Sequence, residues 1–314
     1  MGWFLFSLLA LLFWSGSDLF SKLGSPPDDR NSHWKMVSAV GLVMGLHALF
    51  EITVSGVRVT FADLVHYLPV SGAYIASMIL GYAALRYIEL SVSSPICNSS
   101  GAIAAVLCFF FLHEELSLIQ GVAVGMVALG VIGLGFAEMS EDEEARAARQ
   151  EKANIRYAKS LTALLLPVLY CFIDALGTFF DSVILREEPT GTFLDSLFPY
   201  VLDEAAANVA YELTFLFLAI LAAVYVYGFR HEKPNIRMSL PRLAGGCFET
   251  AGQFAYIFAI GSDRPGFAAA IVSAYCALSV VWSRIFLREK LSWKHYASIL
   301  LAFAGIVILG FFDI

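Results

Sequence analysis

Apolar residues along this chain come in runs of roughly twenty, separated by short polar clusters. Coiled into an α-helix at ~1.5 Å per residue, such a run crosses the ~30 Å hydrocarbon core of a bilayer. Ten runs can be marked: residues 3–23, 36–56, 70–90, 95–112, 118–136, 161–185, 208–229, 243–262, 267–287 and 294–312. The pattern predicts an all-α integral membrane fold of ten transmembrane helices. Two connections are tight, 91–95 between the third and fourth runs and 263–266 between the eighth and ninth. The first run lacks a basic leader and continues through Trp14 and Phe20. It therefore reads as a helix that stays rather than a cleaved signal.

The two halves of the chain resemble each other. Phe111-Leu112-His113-Glu114-Glu115-Leu116-Ser117 recurs as Phe286-Leu287-Arg288-Glu289-Lys290-Leu291-Ser292, 175 positions later. The same offset lays Gly130-Val131-Ile132-Gly133-Leu134-Gly135-Phe136 on Gly305-Ile306-Val307-Ile308-Leu309-Gly310-Phe311. One offset serving both stretches predicts a five-helix unit used twice, 1–137 and 161–314, joined by a charged linker at 138–160. Five is odd, so the second copy enters the membrane from the opposite side. Inverted repeats of this kind are a recurrent carrier plan, with substrate held near the midplane between the copies.

Composition agrees with a lipid environment: 59% of residues are hydrophobic, 15% are charged and the mean hydropathy is +0.72. A soluble chain carries nearer a quarter charged residues. Basic residues then set the orientation, because Lys and Arg collect on the cytoplasmic side. With the N-terminus outside, 17 of the 20 Lys and Arg fall in cytoplasmic segments, leaving Arg58, Arg186 and Arg264 outside. Both termini are expected outside a plasma (inner) membrane. The outer segment 186–207 carries five acidic residues against Arg186. It reads either as a weak attractor of cations or as a solvated loop. Cys97, Cys108, Cys171, Cys247 and Cys276 lie in apolar runs without C-x-x-C spacing, so they read as buried thiols.

The two inverted fives, Trp14-Ser15-Gly16-Ser17 in the first helix, and the Glu-x-Leu-Ser turns at Glu114 or Glu115 and at Glu289 resemble the drug/metabolite transporter superfamily, EamA type. The resemblance spans the chain. It implies a cavity lined by helices one, three, four, six, eight and nine, with five and ten peripheral. It implies a transporter without fixing a substrate. The chain departs from many bacterial members of that family in carrying its basic loop at the centre, so its polarity looks flipped. Asp18 also follows Ser17, where a neutral residue is common.

Ionisable residues inside a span are costly and usually face a cavity or a partner. Asp174 sits mid-helix with Tyr170, Thr178 and Asp181 on one face. Glu249, Gln253 and Tyr256 form a second stripe. Asp18 and Trp14 lie in helix one, and Asn98 opens helix four. These residues make Asp174, Glu249, Asp18, Gln253, Tyr256, Tyr170, Trp14 and Asn98 the candidate substrate or proton ligands. Structural readings stand beside them: Asp18 paired to Lys22, Glu51 paired to His47, Glu212 solvated near the interface, Trp14 packing. Trp3, Trp34, Trp282 and Trp293 suit interfacial belts or helix ends, and the glycines of helix five suit close packing or a dimer face.

No H-E-x-x-H, G-x-S-x-G or P-loop occurs, so an intramembrane enzyme has no motif to stand on. No cofactor, metal or nucleic acid is called for. The deep charges are nearly all acidic, whereas a phosphate carrier would place Lys or Arg in its cavity. The expected function is alternating-access transport of a small cationic or zwitterionic metabolite or drug, coupled to protons through the carboxylates. The alternative is a neutral amino acid or sugar. A monomer and a homodimer both stay open.

Overall fold

A computed structural model describes residues 2–88, 90–112, 117–139, 161–186, 190–287 and 292–312. All regular structure among the described residues is helical. The elements are α1 (Gly2–Gly24), α2 (Ser32–Phe50), α3 (Phe61–Tyr87), α4 (Leu90–Asn98), α5 (Ser100–Phe111), α6 (Leu118–Met139), α7 (Leu161–Ile184), α8 (Leu194–Leu197), α9 (Glu204–Ala223), α10 (Ile236–Ile260), α11 (Pro265–Ser273), α12 (Tyr275–Trp282) and α13 (Trp293–Phe312). π-helical turns at Glu51–Ser55, Val224–Phe229 and Ser283–Leu287 continue α2, α9 and α12. The turns expected at Glu114, Glu115 and Glu289, and most of the 138–160 linker, lie outside the described residues.

Local chemistry sets the boundaries. Pro26 and Pro27 follow α1 and cannot continue its hydrogen-bond ladder. The α2 extension stops at Gly56, whose φ of +75° suits glycine. Thr60 and Asp63 form a capping box that starts α3. Asp203 caps α9 through Ala206 N–H, and Pro265 occupies the first turn of α11.

Seven helical stretches among the described residues are long and apolar enough to span a membrane. Two shorter apolar stretches, Leu118–Leu134 and Trp293–Leu309, lie within α6 and α13. The 25-residue α10 is long enough but is interrupted by Arg237, Arg242, Glu249 and Gln253. It also starts at Ile236, seven residues before the apolar run that announces it.

Helices from the first part of the chain pair with helices from the second: α1 with α10, α2 with α9, α3 with α7, α5 with α11 and α6 with α13. Each pair runs antiparallel. Along α1 and α10, Phe6 meets Phe258 while Phe20 meets Phe248. Along α3 and α7, Tyr67 meets Asp181 while Ser77 meets Asp174. At α6 and α13 the approach is as close as backbone allows: a Cβ on Gly130 would fall 2.7 Å from Ala302. Gly130 and Gly133 thus serve packing within the chain.

Two spans are broken. Ser99 separates α4 from α5, and Ala274 separates α11 from α12. The breaks stand 175 positions apart, the offset of the repeated motifs. The Ser99 N–H is shared between Pro95 and Ile96 carbonyls, and the Ala274 N–H reaches Ile271, so each turn tightens for one residue. Gly101 crosses against Ser273 and the Ala269 carbonyl, with no room for a side chain.

Candidate functional site

One polar cavity lies where the broken helices meet α1, α3, α7 and α10. Its volume is about 90 Å³, room for several waters or a small polar molecule. Trp14, Asp18, Asn98, Tyr170, Asp174, Glu249, Gln253 and Tyr256 all line it. The lining comes from spans one, three, four, six, eight and nine, with Tyr211 added by α9; α6 and α13 contribute nothing.

Each carboxylate is held by hydroxyls of other helices. Asp18 accepts from Ser94 of α4 at 2.5 Å and from Ser279 of α12 at 2.8 Å. Asp174 accepts from Ser77 of α3 at 3.1 Å and from Ser100 of α5 at 2.8 Å. Glu249 accepts from Ser17 of α1 at 2.6 Å. Among the described residues, no Lys, Arg or His lines the cavity. Tyr82 Oη and Gln253 Nε2 are buried without a hydrogen-bond partner among the described residues, and both residues line the same space. Trp14 packs on Tyr256 at 4.8 Å and on Tyr275 at 5.8 Å between centroids, so its ring is a wall of the cavity as well as packing.

Ser17, Ser100 and Ser279 stand in polar stretches that the sequence shows, whereas Ser77 and Ser94 do not stand out as donors. A lone serine in an apolar run, such as Ser77, has no distinguishing neighbour pattern, and for Ser94 the Ser91, Ser93, Ser94 cluster was the available signal. Asp181 also lay outside the expected set. It is fully buried beyond the cavity lining, bonded to Tyr67 at 2.5 Å and Tyr74 at 3.2 Å.

Several structural readings change. Lys22 donates to the Leu85 and Ile88 carbonyls at 2.6 and 2.9 Å, at the end of α3, while Asp18 takes its hydroxyl donors from α4 and α12. Glu212 is wholly buried rather than solvated, and both its oxygens bond His47 Nδ1, at 2.8 and 3.0 Å. Glu51 stands farther from His47, at 3.8 Å. Cys247 is exposed, unlike the other four thiols. Trp3 and Trp282 stand at helix ends, Trp3 buried against Phe267 and Trp282 donating to Ser15.

At the end of the bundle that carries the α1–α2 loop, an ion network ties the two parts of the chain. Arg242 of α10 bonds the Gly24 carbonyl and Asp29, and Lys35 bridges Asp29 and Glu232. Burial works against the Asp29 charge, but the bonds and charges of Lys35 and Arg242 outweigh it and hold the carboxyl below its usual range. The Lys35 hydrogen bond does the same for Glu232.

Comparisons with known proteins follow this geometry. No curated relative matches the sequence. A solved protein crystal structure, described without a function, superposes with a TM-score of 0.66 at 15% identity, covering 99% of this chain and 98% of that one. At that identity the likeness shows a shared fold alone. The family model described as the EamA-like transporter family matches residues 1–136 and 204–311. That is well over half of the chain, which therefore belongs to the EamA-like transporter family: an integral, multi-pass membrane transporter of small molecules.

Proposed function

We propose that this transporter moves a small cationic or zwitterionic metabolite by alternating access, with the cavity carboxylates exchanging substrate for protons. The carrying observation is the charge pattern of the lining: Asp18, Asp174 and Glu249 without one basic side chain among the described residues. An ammonium group replaces the positive charge that the cavity lacks. The unpartnered Gln253 amide and Tyr82 hydroxyl would then serve an acceptor on the same molecule, such as a carboxylate or carbonyl. The aromatic walls of Trp14, Tyr256 and Tyr275 add cation–π attraction of roughly 0.5–2 kcal/mol.

Alternation is supported by the pairing. Ten membrane helices as two inverted fives exchange places across a pseudo-twofold when helix n maps to helix n + 5. The observed partners, first with eighth and third with sixth, then interchange, while second with seventh, fourth with ninth and fifth with tenth map onto themselves. Two packings of similar energy follow, one open to each side. On this reading both termini lie outside a plasma membrane and 138–160 is a cytoplasmic linker, an orientation that the distribution of Lys and Arg supports.

The test is a thermal-shift screen of the purified protein with amines, amino acids and sugars, since a ligand that binds the native state raises its melting temperature. Hits then enter counterflow in liposomes. Amines or amino acids should stabilise the protein and exchange faster with unlabelled compound inside. Stabilisation by sugars alone would replace the cation reading with a neutral one. Conversion of the compound would replace the transporter reading with an enzyme.

A further inference from the structure

Asp181 is a carboxyl wholly buried among these helices, and the cavity does not use it. It sits seven residues beyond Asp174, about 10 Å along α7 at ~1.5 Å per residue. Between the two, Tyr74, Tyr256 and Thr178 close the space. Tyr74 bonds Asp181 at 3.2 Å and Tyr256 at 2.9 Å, and Tyr256 donates to Thr178 at 3.1 Å. Tyr67 bonds the other Asp181 oxygen at 2.5 Å. Tyr67 and Tyr74 belong to α3, while Asp181, Thr178 and Tyr256 belong to the second part of the chain. The cluster therefore straddles the seam that must part if the cavity opens toward the N-terminal end.

We propose that Asp181 is a proton-binding site, separate from the substrate cavity, that latches this end of the transporter: it is protonated when the end is closed and ionised when the end opens and wets. This rests on the alternating-access reading.

The chemistry is that of enclosure. A buried carboxylate without a cation is far costlier than the neutral acid. Among the described residues, the titratable groups packed around Asp181 offer no positive charge. They are Tyr67 and Tyr74 from α3, Tyr211 from α9, Tyr256 from α10 and Cys108 from α5, which reaches Ser182 beside it. His66, next to Tyr67, stacks on Tyr200 at 4.0 Å. Arg186, one turn on, binds Asp195 and the Val183 and Phe198 carbonyls.

A protonated Asp181 satisfies the cluster. Its O–H donates to Tyr74, Tyr74 donates to Tyr256, Tyr256 donates to Thr178, and Tyr67 donates to the remaining carboxyl oxygen. Opening admits water. The acid O–H then breaks heterolytically, the electron pair stays on the carboxylate and the proton passes to water. Closure reverses the step. Closure and proton uptake are thus one linked equilibrium, and acid favours the closed end.

Spin labels on Phe61→Cys and Asp263→Cys, at the ends of α3 and α10, read the opening directly when the exposed Cys247 is replaced by Ser. The distance between them should lengthen as pH rises. The infrared C=O band of a protonated carboxylic acid should fade over the same range. Asp181→Asn, which imitates the neutral acid, should stay short at every pH and lose that band. Should Asp181→Asn not fold, Tyr67→Phe weakens the closed latch and should move the midpoint to lower pH. An unchanged pH response in Asp181→Asn, or an unmoved midpoint in Tyr67→Phe, overturns the proposal. No substrate is needed. A distance switch that persists in a protein showing no counterflow would overturn the transporter reading and leave the latch standing.

Discussion

Asp174 is held by two hydroxyls from two helices, Ser77 and Ser100, and no cation stands beside it in the cavity. On the proposed function it holds either a proton or an ammonium group, and competition for one carboxyl would couple the two movements. Asp174→Asn keeps the size and part of the hydrogen bonding but cannot ionise. Uptake driven by an imposed pH gradient should be lost in proteoliposomes, measured with the compound that shows counterflow in the parent protein. The melting temperature should stay within roughly a few degrees. Retained gradient-driven uptake would remove Asp174 from the coupling. The loop network behaves differently with pH. Asp29 and Glu232 have depressed folded values, so their contribution is present above the ordinary carboxyl values of 3.8 and 4.5 and fades as pH falls through the lower folded ones. Hydrogen exchange of the α1–α2 loop, divided by the intrinsic amide rate at each pH, should accordingly stay flat from pH 8 to about 5 and rise only in stronger acid. A rise near pH 6 would mean that another group governs that end. Sequence made the acidic residues legible, because charge inside an apolar run stands out. It hid which serines donate to them, because a hydroxyl among apolar residues is ordinary and only the fold brings Ser94 and Ser279 onto Asp18.

Helices were legible in proportion to how much of their surface meets lipid. α1, α2 and α9 read cleanly, since the bilayer demands a long apolar run. α10 did not, because the protein covers much of it: Arg242 joins the Asp29 network and Glu249 and Gln253 meet the cavity. The breaks at Ser99 and Ala274 were silent for another reason. One residue out of helical register leaves no trace in hydropathy, although Pro95 lies close before the first break. The close approach of α6 and α13 was half legible: glycines announced contact but did not name the partner. It supplies a clean comparison. Gly130 abuts Ala302 and the Ser298 carbonyl, whereas Gly125 has open space around it. Gly130→Val should cost about 1–3 kcal/mol, the usual penalty of overpacking, while Gly125→Val should leave the melting curve in place. Equal losses would mean that intrinsic helix preference, not the α6–α13 contact, decides stability.

At the scale of the molecule, everything turns on which way each part faces the membrane. Arg58 follows the α2 extension and Arg230 follows the α9 extension, both exposed. α2 and α9 lie antiparallel, with Gly41 against Ala219 and His47 bonded to Glu212, so their C-terminal ends point to opposite faces of the bundle. Arg230 shares its end with the basic cluster of Lys35, Arg86 and Arg242, which gathers around the α1–α2 loop. In the proposed orientation, which follows the positive-inside preference, that cluster is cytoplasmic. In right-side-out cells a membrane-impermeant maleimide should modify Arg58→Cys at once, in a Cys247→Ser background, and should reach Arg230→Cys only after permeabilisation. The reverse pattern would keep the antiparallel pairing and invert the molecule. The network at Asp29 would then be the outer closure and the Asp181 cluster the inner one. Labelling of both from the same side would be graver. It would break the antiparallel relation of α2 and α9, and with it the exchange of two equivalent packings from which alternating access is argued.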